Sequence, residues 1–177
     1  TAMYSINQYT VNYLDFDGTL LQSTSYYYGA NLDQTTTPSN PSKTGYTFVG
    51  WDTVLPESMP SNDIAITALW NTNEYTITFE SDGGSTVANI TQDYDSIVTA
   101  PSNPIKAGYT FNGWDTVIPT KMPASDLTLT ALWTINQYTI TFDTNGGSLV
   151  SAITQDFNST VSLPASPSKE GHTFSGW

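Results

Sequence analysis

The chain contains no cysteine and no arginine, a single histidine, and only four cations, all of them lysine. Each shortage excludes something. Without cysteine there is no disulfide framework, no thiolate metal site and no thiol nucleophile, and redox chemistry leaves no mark of compartment. Four lysines against 16 acidic residues give a formal net charge of −12. No basic surface therefore exists for the phosphate contacts that dominate nucleic-acid binding, and no polybasic patch for anionic lipid. Charged residues of all kinds reach 11 %, against about 25 % in an ordinary soluble domain. No apolar run approaches the ~18 residues of a membrane-spanning helix, so membrane insertion is not expected of this segment. The sequence starts at Thr1 with no signal-like stretch, as in a mature chain or an excerpt of a longer one. Thr, Ser, Asn and Gln fill the space, with 29 threonines alone. Aromatic residues make up 13 %, too many for a disordered tail. The expectation is a folded, acidic chain with few residues able to do catalysis.

What the chain does have is a repeat. From Tyr75 it reads YTITFESDGGSTVANITQDYDSIVTAPSNPIKAGYTFNGWDTVIPTKMPASDLTLTALW, ending at Trp133. From Tyr138 it reads YTITFDTNGGSLVSAITQDFNSTVSLPASPSKEGHTFSGW and stops at Trp177, and a third version opens at Tyr9 and ends at Trp70. Trp51, Trp114 and Trp177 are 63 residues apart, as are Trp70 and Trp133. The first copy carries three extra residues, placed within Asp33–Thr37, because Tyr9 to Tyr28 and Tyr75 to Tyr94 are both 19 apart. The reading is therefore residues 9–70 as repeat 1, 71–133 as repeat 2, and 134–177 as repeat 3, incomplete at its C-terminal end. Residues 1–8 align with the closing strand of a preceding repeat plus a joint.

Within a repeat the period is two. Tyr75, Ile77 and Phe79 alternate with Thr76 and Thr78, which predicts a strand with one buried face. Asp82-Gly83-Gly84 and Asn145-Gly146-Gly147 are hairpin-turn chemistry. A second strand is expected through Ile90–Tyr94 or Ile97–Thr99, a third over Tyr109–Trp114 with Gly113 permitting a bulge, and a fourth over Leu127–Trp133. Pro101 to Gly108 cannot be a central strand, and Met122–Asp126 reads as a turn or one helical turn. No helical stripe of ten residues exists, so the chain is expected to be mostly β, with short or no helices. A unit of 63 residues is small for a core without staples; the compensation offered by the sequence is aromatic area. Trp51, Trp70, Trp114, Trp133, Tyr75, Phe79 and Phe111 are the expected structural core. The joints Asn71–Glu74 and Thr134–Gln137 lack Gly and Pro, which suggests units strung stiffly end to end.

Three blocks in order, Tyr-Thr-Ile-Thr-Phe with its Gly-Gly turn, Pro-x-Lys-x-Gly-Tyr-Thr-Phe-x-Gly-Trp, and Thr-Ala-Leu-Trp, resemble the Listeria–Bacteroides repeat, or internalin B-repeat-like, family. The resemblance covers essentially the whole chain. It implies a tandem array of small β-grasp-like modules in long secreted or cell-surface proteins that serve as stalks, adhesins or envelope components. It carries over no catalytic residue.

Several constellations imitate chemistry. Tyr13-Leu14-Asp15-Phe16-Asp17-Gly18-Thr19-Leu20 matches the aspartate-nucleophile motif of haloacid-dehalogenase-type phosphatases. That chemistry needs a neutralising Lys, a distal carboxylate pair for magnesium and a doubly wound α/β scaffold, and no βαβ pattern is present. Repeat alignment instead puts Asp17-Gly18 in a hairpin turn. Asp15, Asp17, Asp82 and Asp143 beside Gly-rich turns fall short of the six to eight oxygens calcium takes, and read as Asx-type turns. His172 stands where Tyr46 and Tyr109 stand and has no His or Cys companion. Lys43, Lys106 and Lys169 recur in a Pro-x-Lys-x-Gly turn, where an isopeptide crosslink would need the amine desolvated in an apolar core. Tyr28 aligns with Tyr94 and Phe157 and reads as core. Tyr26 and Tyr27 align loosely and offer a ligand contact peculiar to repeat 1. Asn89-Ile90-Thr91 and Asn158-Ser159-Thr160 have the form of glycosylation acceptors.

The functional expectation is a non-catalytic structural segment of a secreted or cell-surface protein: stalk, adhesin or surface filament. The alternative is a carbohydrate- or protein-binding adhesin module using the exposed aromatics of repeat 1. No cofactor, metal or enzyme activity is expected. The expected partners are neighbouring repeats or a second copy, end to end, together with a glycan or host cell-surface protein. Thr1–Tyr9 align with Thr130–Tyr138, so either the chain is a stretch of a longer array or the first residues of one molecule complete the last repeat of the next by strand addition.

Overall fold

The computed structural model describes residues 1–33 and 37–177; the insertion placed at Asp33–Thr37 lies largely outside them. All regular structure among the described residues is β. In repeat 1, β1 (Gln8–Leu14), β2 (Leu20–Tyr27), β3 (Tyr46–Trp51) and β4 (Ile64–Thr72) form one sheet of order β2-β1-β4-β3. In repeat 2, β5 (Glu74–Glu80), β6 (Ile90–Asp93), β7 (Tyr109–Trp114) and β8 (Leu127–Ile135) repeat that order as β6-β5-β8-β7. In repeat 3 only β9 (Gln137–Ile140) and β10 (Ile153–Asp156) pair, antiparallel. The central pairs β1–β4 and β5–β8 are parallel, whereas β1–β2, β3–β4 and β7–β8 are antiparallel. Of the two positions offered for the second strand, the chain uses the one beginning at Ile90.

By packing, the chain forms two compact units. One comprises Thr1–Thr76, Thr91–Val98 and Pro119–Asp126, the other Ile77–Ile90, Thr99–Ile118 and Leu127–Trp177. In the first, Val11 and Tyr13 of β1 alternate inward to meet Ile66 of β4, and Leu32, Leu55 and Met59 close the cluster from loops. In the second, Ile77 and Phe79 of β5 and Leu129 and Ala131 of β8 are the buried residues of their strands, as period-two alternation requires.

Two features differ from the sequence reading. The Met-Pro turn is no mere connection: Met59 and Met122 are each about 1 % exposed, among the most deeply buried side chains. Backbone bonds hold each methionine on both sides, Gly29 N–H to Met59 O and Met59 N–H to Ala30 O at 2.9 Å, and Asp95 N–H to Met122 O and Met122 N–H to Ser96 O at 3.0 and 2.9 Å. A flexible thioether fills the irregular gap where strands do not reach. The joints are also not four-residue loops. β4 runs to Thr72 and β8 to Ile135, leaving Asn73 and Asn136 as the single residues between strands.

Six of the expected core aromatics, joined by Tyr13 and Phe48, form two chains of ring contacts. Tyr13 meets Trp51 at 4.8 Å between ring centroids, Trp51 meets Phe48 at 5.2 Å and Phe48 meets Trp70 at 5.5 Å. Phe79, Trp114, Phe111 and Trp133 repeat this at 5.0, 5.4 and 5.4 Å. Phe79 is buried, while Tyr75, Phe111 and all four tryptophans are half-buried. Behind Phe48 and Phe111 the register slips by a bulge whose glycines, Gly50 and Gly113, have φ of 143° and 106°.

Candidate functional site

The sequence candidates gather at the first turn of each repeat. Asp15 O accepts from Gly18 N–H at 2.9 Å and Asp17 Oδ1 from Thr19 N–H at 2.9 Å, so the phosphatase-like motif is a hairpin turn. That Thr19 bond holds the Asp17 carboxyl below the usual carboxylate range. Asp15 Oδ1 accepts from Phe16 N–H at 2.8 Å and from the Trp70 indole at 2.7 Å, while Oδ2 lies 3.4 Å from Lys43 Nζ. Lys43 in turn lies 3.4 Å from the Phe16 ring centroid and 5.1 Å from that of Tyr46, as cation–π attraction favours. An aspartate engaged by a cation, an indole and a backbone amide has its lone pairs committed to structure. Among the described residues no cluster of three His, Cys, Asp or Glu side chains stands ready for a metal.

The recurrent lysines share this latch role in other guises. Lys106 Nζ donates to Asp82 O at 2.6 Å beneath Tyr109, and Lys169 Nζ to Asn145 O at 2.7 Å. Backbone carbonyls offer no carboxyl or carboxamide for a crosslink; the carboxylates within reach of these lysines are Asp15, 3.4 Å from Lys43, and Asp82, 3.8 Å from Lys106. Asp52 and Asp115 likewise cap strands, each accepting the amide of Thr67 or Thr130 at 2.8 and 2.9 Å. Asp63 and Asp126 accept from Thr10 and Thr76 at 2.7 and 2.8 Å. His172 Nδ1 is 2.8 Å from Glu170 O.

The tyrosine run of repeat 1 is split by its strand. Tyr26 is half-buried against the repeat 1 core, whereas Tyr27 is exposed. Neighbours on a strand face opposite sides, so the two do not form one aromatic platform. Tyr28 corrects the sequence reading: it is 58 % exposed, not core. The alignment with Tyr94 and Phe157 explains why. Those two rings serve the joint with the repeat before them. Tyr94 lies over Gly45 and meets Tyr46 edge-on at 5.8 Å, and Phe157 lies over Gly108 and meets Tyr109 at 6.3 Å. Any Cβ at Gly45 or Gly108, both at φ of 75° or more, would fall inside the ring above it.

An asparagine organises each joint. Asn73 donates its N–H to Gly45 O at 2.9 Å, accepts Tyr94 N–H at 2.8 Å, and takes the Thr47 hydroxyl on Oδ1 at 2.6 Å. Asn136 does the same with Gly108, Phe157 and Thr110 at 2.8, 2.8 and 2.6 Å. The sequence reading missed these residues, although the signal was there: Asn7, Asn73 and Asn136 each stand two before the first tyrosine of a repeat.

Two proteins of Evansella cellulosilytica, described as a membrane protein and a Gly-rich membrane protein, are each 36 % identical over 99 % of this chain, covering 28 % and 22 % of their own length. Internalin H of Listeria monocytogenes is 36 % identical over 69 % of the chain and 24 % of its length. The chain thus spans about a quarter of the relatives it matches. Among solved structures, streptococcal high-identity tandem repeat domains 3–4 of a cell surface protein match at 18 % identity and TM-score 0.29, over 72 % of this chain and 98 % of that one. The type 2 repeat of the mucus binding protein MUB from Lactobacillus reuteri matches at 14 % and TM-score 0.20, over 74 % and 100 %. Scores this low establish neither fold nor function. The model of one family, the Listeria-Bacteroides repeat domain, matches residues 9–66, 75–132 and 138–177. With three tandem matches over most of its length, the chain belongs to the Listeria-Bacteroides repeat domain family.

Proposed function

We propose that this chain is a non-catalytic structural segment of a secreted or cell-surface protein, a stretch of stalk, adhesin or filament whose repeats hold their neighbours end to end. One observation carries the reading: the asparagine joint with its aromatic ring over glycine recurs at both repeat boundaries with the same partners. A strand that leaves one repeat and enters the next through one residue resists bending better than a linker does. Asp15, Asp17, Asp52, Asp63, Asp115 and Asp126 are engaged in turns and strand caps. The repeat boundaries at 9–70, 71–133 and 134–177 rest on the sequence repeat and fall two residues before the ends of β4 and β8, and the parallel central pair flanked by antiparallel strands supports the β-grasp-like description. Extracellular or cell-surface location is supported by relatives described as membrane proteins and as an internalin. No helix among the described residues is long and apolar enough to cross a membrane.

The second reading, a module binding sugar or protein, draws on Tyr26 and Tyr27 of repeat 1, of which Tyr27 is exposed and Tyr26 is half-buried against the core. A glycan array with the intact chain decides between them. The structural reading expects no reproducible sugar retention; binding that Tyr27→Ala abolishes, in a variant whose near-UV circular dichroism is unchanged, overturns it. Labelling of intact cells by an antibody to this segment tests location, and labelling only after lysis overturns the surface assignment.

A further inference from the structure

A strand at the edge of a sheet offers unpaired N–H and C=O groups to any chain that lies beside it. Folded proteins guard such edges with charge, proline, a bulge or brevity. The sheets of repeats 1 and 2 have four edge strands, β2, β3, β6 and β7. In β3 and β7 a bulge breaks the register after three residues, and β6 has four residues and ends on Asp93. β2 lacks these guards. It is eight residues long, LLQSTSYY, with neither a charge nor a proline. Its one register shift lies beside Leu20, so the pairing with β1 runs unbroken over the six residues Gln22–Tyr27. Leu20, Leu21 and Tyr27 are all exposed. The exposure of Tyr27 belongs to its place in the sheet, because Asp93 and Asp156 hold that place in repeats 2 and 3 and are exposed although a repeat precedes each.

The pairing with β1 fixes which groups are free. Opposed residues of an antiparallel pair alternate between exchanging backbone bonds and exchanging none. Tyr28 N–H donates to Asn7 O at 2.9 Å, so Tyr26, Thr24 and Gln22, in step with it, turn their backbone groups to β1. Thr10, opposite Ser25, turns the other way and donates its N–H to Asp63 Oδ1. The amides and carbonyls of Ser23 and Ser25 and the amide of Tyr27 therefore point outward, while the Tyr27 carbonyl accepts Ala30 N–H at 3.0 Å. Side chains alternate as well. Thr24 and Tyr26 are half-buried, whereas Ser23 and Ser25 stand on the solvent face, where the Ser23 hydroxyl donates to Asn12 Oδ1 at 2.6 Å.

We propose that a second copy of this chain completes this edge, its β2 lying antiparallel to the first about a two-fold axis at Thr24. That centre sets Ser23 of each copy against Ser25 of the other, the residues whose outward groups are all free, and each pair exchanges two backbone bonds. Thr24 then opposes Thr24 and Gln22 opposes Tyr26, cross-strand pairs of matching polarity. The exposed Leu21 of one copy comes beside the exposed Tyr27 of the other, twice by symmetry. Charge favours the same occupant. Each copy carries −12, and β2 brings no charge to the contact, while the acidic turns at Asp15 and Asp17 fall at opposite ends of the paired strands. The contact is lateral and goes beyond the end-to-end reading above. Both copies use one surface, and such an isologous pair closes at the dimer.

Sedimentation velocity of the intact chain, from about 10 μM to about 1 mM, is the test. A monomer–dimer equilibrium that stops at the dimer is expected. Ser25→Pro removes an outward N–H and spares the bonds to β1, as proline does on an edge strand; it is expected to weaken the dimer roughly tenfold or more. Ser23→Lys with Ser25→Lys sets like charges directly opposite across the axis, and so does Ser23→Asp with Ser25→Asp. Each double variant is expected to stay monomeric by itself. Their equimolar mixture sets lysine against aspartate at both positions and is expected to dimerise again. Near-UV circular dichroism identifies variants that keep the fold, and the charge variants, at exposed positions, decide the matter if Ser25→Pro does not. A wild-type chain that stays monomeric leaves the edge to a strand of another protein and overturns the proposal. Association that survives these substitutions, or a mixture of folded variants no more associated than its parts, overturns it equally. Tyr27 is intact in every variant, so the glycan and cell-labelling outcomes are independent of this one, and failure here leaves the structural reading standing on its own test.

Discussion

Methionine and tryptophan divide the stabilising work of a repeat unequally. Met122 is sealed from solvent, whereas Trp114 keeps one edge in water. Met122→Ala is therefore expected to cost about 2–5 kcal/mol, and Trp114→Ala less than the ~3–5 kcal/mol of a fully buried tryptophan despite its greater size. Urea unfolding of both variants checks the order, and a larger loss for Trp114→Ala contradicts it. Titration adds small terms of opposite sense. Asp17 is held below its usual range by the Thr19 N–H, so its contribution is present above about pH 4 and is lost as pH falls through the lowered value. Lys121 is held above its usual range by a hydrogen bond to Asp95; its contribution is full below about pH 10 and is lost as pH rises through the raised value. Replacing Asp17 with Asn is expected to leave stability unchanged near pH 2 and to lower it slightly at pH 6. Thermal melts at both values read this.

Strand length follows from what lies alongside. β5 and β9 share the motif Tyr-Thr-Ile, yet β5 holds seven residues between two neighbours and β9 holds four with one. Tyr138 and Ile140 are correspondingly exposed, because a strand with one partner has both an unpaired edge and half a cover. Hydrogen exchange is expected to be slow at Ile77 and Phe79 and much faster at Ile140 and Phe142; equal protection contradicts this account. The joints make a second element-level prediction. Gly108→Ala suffers both left-handed strain, about 1–2 kcal/mol, and collision with Phe157. Adding Phe157→Ala relieves the collision alone. The double-mutant cycle is thus expected to show a coupling of about 0.5–3 kcal/mol, and additive losses would mean that the ring and the glycine do not share an interface.

The whole molecule carries a net charge of −12, and three ion pairs are described, two of them latching first turns. Self-repulsion at low ionic strength should therefore lower Tm. Raising salt from about 0.01 M to about 0.15 M, which shortens the Debye length from about 30 to about 8 Å, is expected to raise Tm by a few degrees. A chelator is expected to leave it unchanged, since a bound ion would stabilise by mass action. A chelator-dependent drop would return the turn aspartates to consideration as ligands.

Local chemistry determined much of this from sequence alone. Period-two alternation, glycine turns and proline breaks each act within a few residues, so β5, β7, β8 and the Asp17-Gly18 turn were legible before any contact was known. Repetition determined the family, because three blocks at fixed spacing need no packing to be recognised. Tertiary structure decided the rest, where a residue's role depends on what lies across from it. Tyr28 and Tyr94 occupy one alignment position, yet one faces solvent and the other a glycine of the preceding repeat. Met122 looked like part of a turn, yet the fold seals it from solvent. Asn73 carries no distinctive local chemistry, and it became the centre of a joint only when Thr47 of β3, Tyr94 after β6 and the Gly45 corner converged on its three polar groups. A one-dimensional pattern records which side a residue faces; which neighbour it meets there depends on chain pieces 20 to 60 residues away, and only the folded sheet brings them together.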